Sequence, residues 1–155
     1  MSLSETRARM EWEAAVPRAA WLWLATFVVL LFASGCASST RVYVKSTDQT
    51  NDGNTLYMMV RSTEGRGVAT ESYQDAAAKL FADPPDPSVV ASQPIFPGNT
   101  ATVTLPDTVT KDVAIYFFFT NPGPSWRVPL RQPLPAEVYI ELGQHQIDRV
   151  QIRKR

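Results

Sequence analysis

Few residues in this 155-residue chain carry the chemistry of catalysis or ligation. Cysteine and histidine occur once each, as Cys36 and His145. One thiol cannot close an internal disulfide, and one thiol with one imidazole falls short of a zinc ligand set. His145 stands between Gln144 and Gln146 in a turn and reads as an exposed surface histidine without a visible partner. Asp48-x-Thr50-x-Asp52-Gly53 follows the opening of an EF-hand calcium loop. Its third position is Thr, its twelfth is Met59 instead of the bidentate Glu, and no helical pattern flanks it. A solvated turn or a partner-binding loop is the better reading. Gly65-Arg66-Gly67 lacks the Lys-Ser/Thr pair and the strand–helix setting of a phosphate loop, and reads as a turn. Asp83 and Asp86 lie in a proline-rich segment where nothing would raise one carboxyl for acid catalysis. Tyr116-Phe117-Phe118-Phe119 and Trp126 could line a pocket, yet aromatics on a central strand are first of all core material. Arg149, Arg153, Lys154 and Arg155 make a basic end: a soluble strand terminus first, an attraction to anionic head groups second. No enzyme signal emerges, and the chain is read as a non-enzyme without a metal or dissociable cofactor.

The position of Cys36 gives it a different use. It follows the apolar run Ala19–Ala33 (AAWLWLATFVVLLFA), which has no charge and is shorter than the roughly 20 residues of a membrane-spanning helix. That length suits the apolar region of a secretory signal ending in small residues. Ala33-Ser34-Gly35-Cys36 resembles the lipobox of bacterial lipoproteins, with Ala33 where the pattern usually has Leu. That resemblance implies that residues 1–35 are a removed signal peptide and that Cys36 becomes the lipidated first residue. The alternative is an uncleaved signal anchor with Cys36 an ordinary buried residue. Ala37, rather than Asp, after the cysteine resembles lipoproteins sorted to the outer membrane. The leader is unusual in that Glu5, Glu11 and Glu13 dilute Arg7, Arg9 and Arg18, and both Met1 and Met10 stand as possible starts.

Beyond residue 35 remain 120 residues, one domain's worth, with twelve basic and twelve acidic side chains. A formal charge of zero and no long basic stripe argue against nucleic acid as a partner. Residues 36–40 form a polar spacer, and residues 41–155 a single domain. Alternation begins at Arg41-Val42-Tyr43-Val44-Lys45, with the valines on one face. A polar loop follows: Thr47, Asp48, Gln49, Thr50, Asn51, Asp52, Gly53 and Asn54, in which Asn, Asp and Gly tolerate left-handed backbone. The second strand, Thr55–Ser62, sets Leu56, Met58 and Val60 against Tyr57, Met59 and Arg61. Glu64–Gly67 is a turn. Ser72-x-x-Asp75 opens a short amphipathic helix with Tyr73, Ala76, Ala77, Leu80 and Phe81 on one face, which the prolines at 84, 85 and 87 stop. Further strands are expected over Ser88–Ile95 and Ala101–Leu105. Val113–Phe119 is apolar on both faces and should be central. Trp126–Leu130 is held to an edge by Pro129. Val138–Leu142 and a last strand bearing Val150 and Ile152 close the chain, with Ile147 out of phase through a bulge or a late start. Seven or eight short strands and one helix describe an all-β, two-sheet β-sandwich.

In order, these pieces resemble the TssJ/VasD family, the outer-membrane lipoproteins of the type VI secretion apparatus. The cysteine-led start, the Asp/Asn loop, Val60-Arg61, the helix with Tyr73 and Leu80-Phe81, Pro97-Gly98, and Ala114–Phe119 before Trp126-Arg127 carry the resemblance. It spans essentially the whole chain after Cys36. Leu56–Ser62 lacks the proline that commonly opens the corresponding family segment, and Phe118-Phe119-Thr120 replaces an Ala-Phe-Arg. The resemblance implies a transthyretin-like sandwich, no catalysis, a covalent lipid on Cys36 and an outer-membrane anchor facing the periplasm. It also implies a place in a TssJ–TssL–TssM membrane complex, with the loop Thr47–Asn54 holding the periplasmic C-terminal domain of TssM. A lipoprotein module binding a sugar or small apolar ligand through the aromatic strand and Trp126 is the competing expectation.

Overall fold

Valines at alternate positions need a buried face, and β1 (Thr40–Lys45) has one: Val42 and Val44 are fully buried. The computed structural model describes residues 39–63 and 67–154, so the signal segment, Cys36, Glu64–Arg66 and Arg155 lie outside the described residues. Seven more strands follow: β2 (Leu56–Thr63), β3 (Val89–Ile95), β4 (Thr100–Leu105), β5 (Asp112–Phe118), β6 (Arg127–Leu130), β7 (Glu137–Leu142) and β8 (Ile147–Arg153). They form two four-stranded sheets, in the orders β4-β1-β7-β8 and β3-β2-β5-β6. The two-sheet sandwich expected from alternation is what the chain adopts.

All neighbours pair antiparallel except β1 and β7, which run parallel with Val42 opposite Val138 and Val44 opposite Ile140. Side chains from the inner faces of both sheets share one core, including Val42, Ile140 and Leu105 from the first sheet and Leu56, Ile115 and Phe117 from the second. Pro129 sits on β6, an edge strand, where its missing N–H interrupts no ladder. The register between β7 and β8 slips at Glu141/Leu142, so Ile147 pairs with Leu142 and Arg149 with Glu141. Asp148 is the extra residue of this bulge, which explains the phase of Ile147.

A second, smaller core covers the outer face of the second sheet, and it departs from the simple alternation. Two helices lie there: α1 (Gly67–Thr70), a single helical turn directly after the expected Glu64–Gly67 turn where no element was expected, and α2 (Tyr73–Leu80). Ser72 caps α2, its hydroxyl accepting the Asp75 N–H at 3.1 Å. Val68 and Ala76 pack against Met59, Ala114 and Tyr116. Met59 and Arg61, read as the outward side of β2, are therefore buried. Phe81, read as part of the helix's apolar face, falls past its end and is 68% exposed, its ring edge-on to Tyr57 at 5.7 Å.

The strand directions divide the connections between two ends of the sandwich. β1 enters at one end, beside Pro135 and Ala136, where the Thr40 hydroxyl donates to Pro135 O at 2.7 Å and Arg41 N–H to Ala136 O at 3.0 Å. At the opposite end lie the β1–β2 loop, the β3–β4 turn, the β5–β6 connection and the β7–β8 turn.

Candidate functional site

The polar loop between β1 and β2 stands at that opposite end, and it is two things at once. Asn51, Asp52 and Gly53 are consecutive left-handed residues, with φ of 54°, 56° and 78°. Only Asn, Asp and Gly adopt this conformation at low cost, which is why the sequence reads Asn-Asp-Gly here. Asn51 is the hub. Its N–H donates to Gln144 O at 2.7 Å, its Oδ1 accepts the Thr120 N–H at 2.7 Å, and its Nδ2 donates to Asn54 O and Thr55 O, each at 3.2 Å. Thr50 is equally buried, its hydroxyl accepting the Thr47 N–H at 2.9 Å. Thr50 and Asn51 thus serve the fold, contrary to a uniformly solvated loop. Thr47, Asp48, Gln49, Asp52, Gly53 and Asn54 are exposed.

Three other connections brace this loop. Ser46 Oγ donates to Phe96 O at 3.0 Å and to Asn99 O at 2.8 Å. Gly98 has φ +77°, and a Cβ there would collide with the Asp48 carboxylate, so the loop and the Pro97-Gly98 turn touch through the absence of a side chain. Gln144 Nε2 donates to Asp52 Oδ1 at 2.7 Å, and His145 Nε2 lies 3.5 Å from the same oxygen. His145 therefore has a partner that sequence reasoning did not supply. Gly123 N–H donates to His145 O at 2.8 Å and Ile147 N–H to Ser125 O at 2.7 Å, lacing the β7–β8 turn to the β5–β6 connection. Among the described residues, no group of three or more potential metal ligands comes together. The end is a rigid polar surface, with Phe96, 55% exposed, at its side.

The aromatic strand is organised differently. Tyr116 is fully buried, and its ring lies 5.7 Å from Trp126, which also meets Tyr73 edge-on at 5.0 Å. These rings are filled by one another rather than open to a ligand. Around them sits a polar cluster that the sequence did not reveal. Glu71, with its side chain 7% exposed, accepts from Arg61 and Lys79 and from the Tyr116 hydroxyl at 2.7 Å. Burial alone would raise the Glu71 carboxyl, but the hydrogen bonds from Lys79, Tyr116 and Arg61 outweigh it and hold it below the ordinary carboxylate value. Arg127 donates to Glu71 O at 2.7 Å and to Ala69 O at 2.8 Å, and its guanidinium lies over Trp126. Burial pushes the Tyr73 hydroxyl up to about 12, while that group donates to Phe119 O at 2.5 Å. The Trp126-Arg127 pair was visible as a motif. That its guanidinium clasps α1 was not, because the acceptors are backbone carbonyls.

Residues 57–142, more than half of the chain, match the family described as IglE, N-terminal domain. The chain belongs to the IglE N-terminal-domain family. The matched segment runs from β2 to the end of β7, so β1 and the loop precede it. No curated protein matches. Among solved structures, the T6SS lipoprotein TssJ1 of Pseudomonas aeruginosa is similar at 14% identity and a TM-score of 0.57, covering 77% of this chain and 98% of that one. Serratia marcescens Lip, described as a membrane-bound component of the type VI secretion system, is similar at 15% identity and TM-score 0.54, over 76% of this chain and 98% of its own. A chain from the structure of the T6SS protein TssM C-terminal domain of EAEC is similar at 16% identity and TM-score 0.57, over 74% and 96%. This IglE-family chain shares the fold of type VI secretion lipoproteins, as the order of its motifs implied.

Proposed function

We propose that this IglE-family protein is a structural lipoprotein of a type VI secretion membrane complex, anchored in the outer membrane through a lipidated Cys36 and facing the periplasm. Its loop end would hold the periplasmic domain of TssM. The observation that carries the reading is a sandwich, shared with TssJ1 and Lip, whose polar loop lies at the end opposite the one where β1 enters from the Cys36 side. Such a protein has two jobs and two ends, and neither needs catalysis. The loop is stiffened by Asn51 and its bracing turns, so its exposed side chains meet a partner with little ordering cost. Their polarity fits a wet interface of modest size.

The Tyr116–Trp126 aromatics do not favour the ligand-binding alternative, since Tyr116 is fully buried and half-buried Trp126 packs against Tyr73, Tyr116 and the Arg127 guanidinium. A test of the TssM contact must spare Thr50 and Asn51, because removing the whole loop would also remove supports of the fold. Replacing exposed Asp48 and Gln49 with Ala should leave the unfolding free energy from urea titration within about 0.5 kcal/mol of wild type. It should also weaken co-purification with TssM severalfold. Undiminished co-purification would show that the contact lies elsewhere. Cys36→Ala should abolish fatty-acid labelling, and persistent labelling would refute the lipid site.

A further inference from the structure

The end where β1 enters carries a groove of its own, of about 480 Å³, between the edges of the two sheets. Its apolar side comes from Leu130, Leu134 and Ile152. Ile152 pairs opposite Val138 and so points toward the inter-sheet side, yet it is 50% exposed, since the facing edge strand β6 has only four residues. Its polar rim holds Arg131 and Lys154, both exposed. Among the described residues neither has an ion-pair partner, while the neighbouring acids are occupied. Glu137 lies 3.2 Å from Arg41 and 3.6 Å from Arg153, and Asp112 accepts the Gln132 N–H at 2.8 Å. The groove wall is preformed. The Gln132 side chain donates to Val109 O at 3.0 Å and Lys111 O at 2.9 Å, and accepts the Leu134 N–H at 3.1 Å.

We infer that this groove takes the head group and upper acyl chain of an anionic membrane phospholipid, giving the protein a second membrane contact beside its lipid. Two exposed cations, without ion-pair partners among the described residues, over an apolar floor are complementary to a phosphodiester attached to methylenes. Chain length supports the same occupant. Four peptide steps separate Cys36 from Thr40, which caps the tether at about 14 Å, so under the lipoprotein reading on which this rests the entry end must lie close to the bilayer. A basic patch held this close to an anionic surface adds an electrostatic attraction to that of the acyl chains.

The test uses the full chain in detergent, titrated with short-chain dihexanoyl-phosphatidylglycerol, its phosphatidylcholine counterpart and inorganic phosphate, read by amide hydrogen exchange. Phosphatidylglycerol should slow exchange over residues 129–135 and 150–154, leave 47–54 unchanged, and be mimicked by neither of the other two. A cation beside an anionic surface contributes about fivefold in affinity, so Arg131→Ala with Lys154→Ala should weaken the effect about 25-fold. Equal protection by all three additives, or protection that survives the double substitution, overturns the inference. This assay does not require acylation: failure of the Cys36 reading appears as lost fatty-acid labelling, while failure of the groove appears here. In vesicles the same segments should be protected with phosphatidylglycerol present and exposed in pure phosphatidylcholine, and identical exchange in both would count equally against the groove.

Discussion

At the scale of single residues, Asn51 stands out because its backbone and side chain both act. Its left-handed backbone suits Asn, and its amide joins the loop to Thr120, Asn54 and Thr55 while its N–H reaches the β7–β8 turn. Asn51→Ala takes the acceptor from the Thr120 N–H, leaves the buried site of the Asn51 amide unfilled and puts a Cβ-only residue into a disfavoured conformation. We expect a loss of about 2–3 kcal/mol, measured as a drop in the urea midpoint with an unchanged slope. A change below 0.5 kcal/mol would mean that the loop is not braced in this way. Asn51 could not be picked from its neighbours in the sequence. Thr47–Asn54 reads as uniformly polar, and a polar residue's burial depends on acceptors and donors far along the chain. What composition did show was the tolerance of Asn, Asp and Gly for positive φ, and that tolerance is used.

At the scale of elements, the cover over the second sheet depends on Glu71. Its folded-state pKa is lowered from the ordinary carboxylate value of 4.5, so its contribution is present above that value and is lost as pH falls through the lower, folded one. Glu71→Gln should therefore cost stability at neutral pH, by about 2–3 kcal/mol for a charge cluster between exposed and buried limits. The gap from wild type should narrow as pH falls below 4.5. Urea titrations along an acid series would check it, and a gap constant with pH would assign the effect to packing. The same region shows where alternation stops informing. β1, β4 and β7 have one buried face, and their period of two is plain. β5 announces burial on both faces through a continuous apolar run. β2 conceals it, since Arg61 looks like a solvent residue until Glu71, ten positions on, folds back over it. The helix α2 was legible through its Ser72 cap and spacing. Its neighbour α1 was not, being a single turn without a periodic signal.

At the scale of the whole molecule, the sandwich was readable from strand count and turn spacing, while the pairing of β1 with β7 was not. No local pattern encodes a parallel contact between residues roughly a hundred positions apart, although half-buried Glu141 and exposed Lys45 do lie in register. The two-ended arrangement follows from that pairing. β1 is central, entered at one end and leaving straight into the loop at the other, so the entry end and the proposed partner contact are separated by one six-residue strand, about 20 Å of backbone.

That geometry has a mechanical consequence. A contractile machine pulling on the loop against a lipid would stretch β1 along its own axis. The strand is held by ladders on both sides, to β4 and to β7. Such a load runs along the already extended backbone of β1, while the two ladders keep the strand in register without having to carry the pull. In single-molecule pulling between residue 39 and exposed residue 48, the protein should lengthen little and keep its fold at forces that peel edge strand β8 from its one ladder. Equal rupture forces from the two geometries would mean that β1 transmits no special strength.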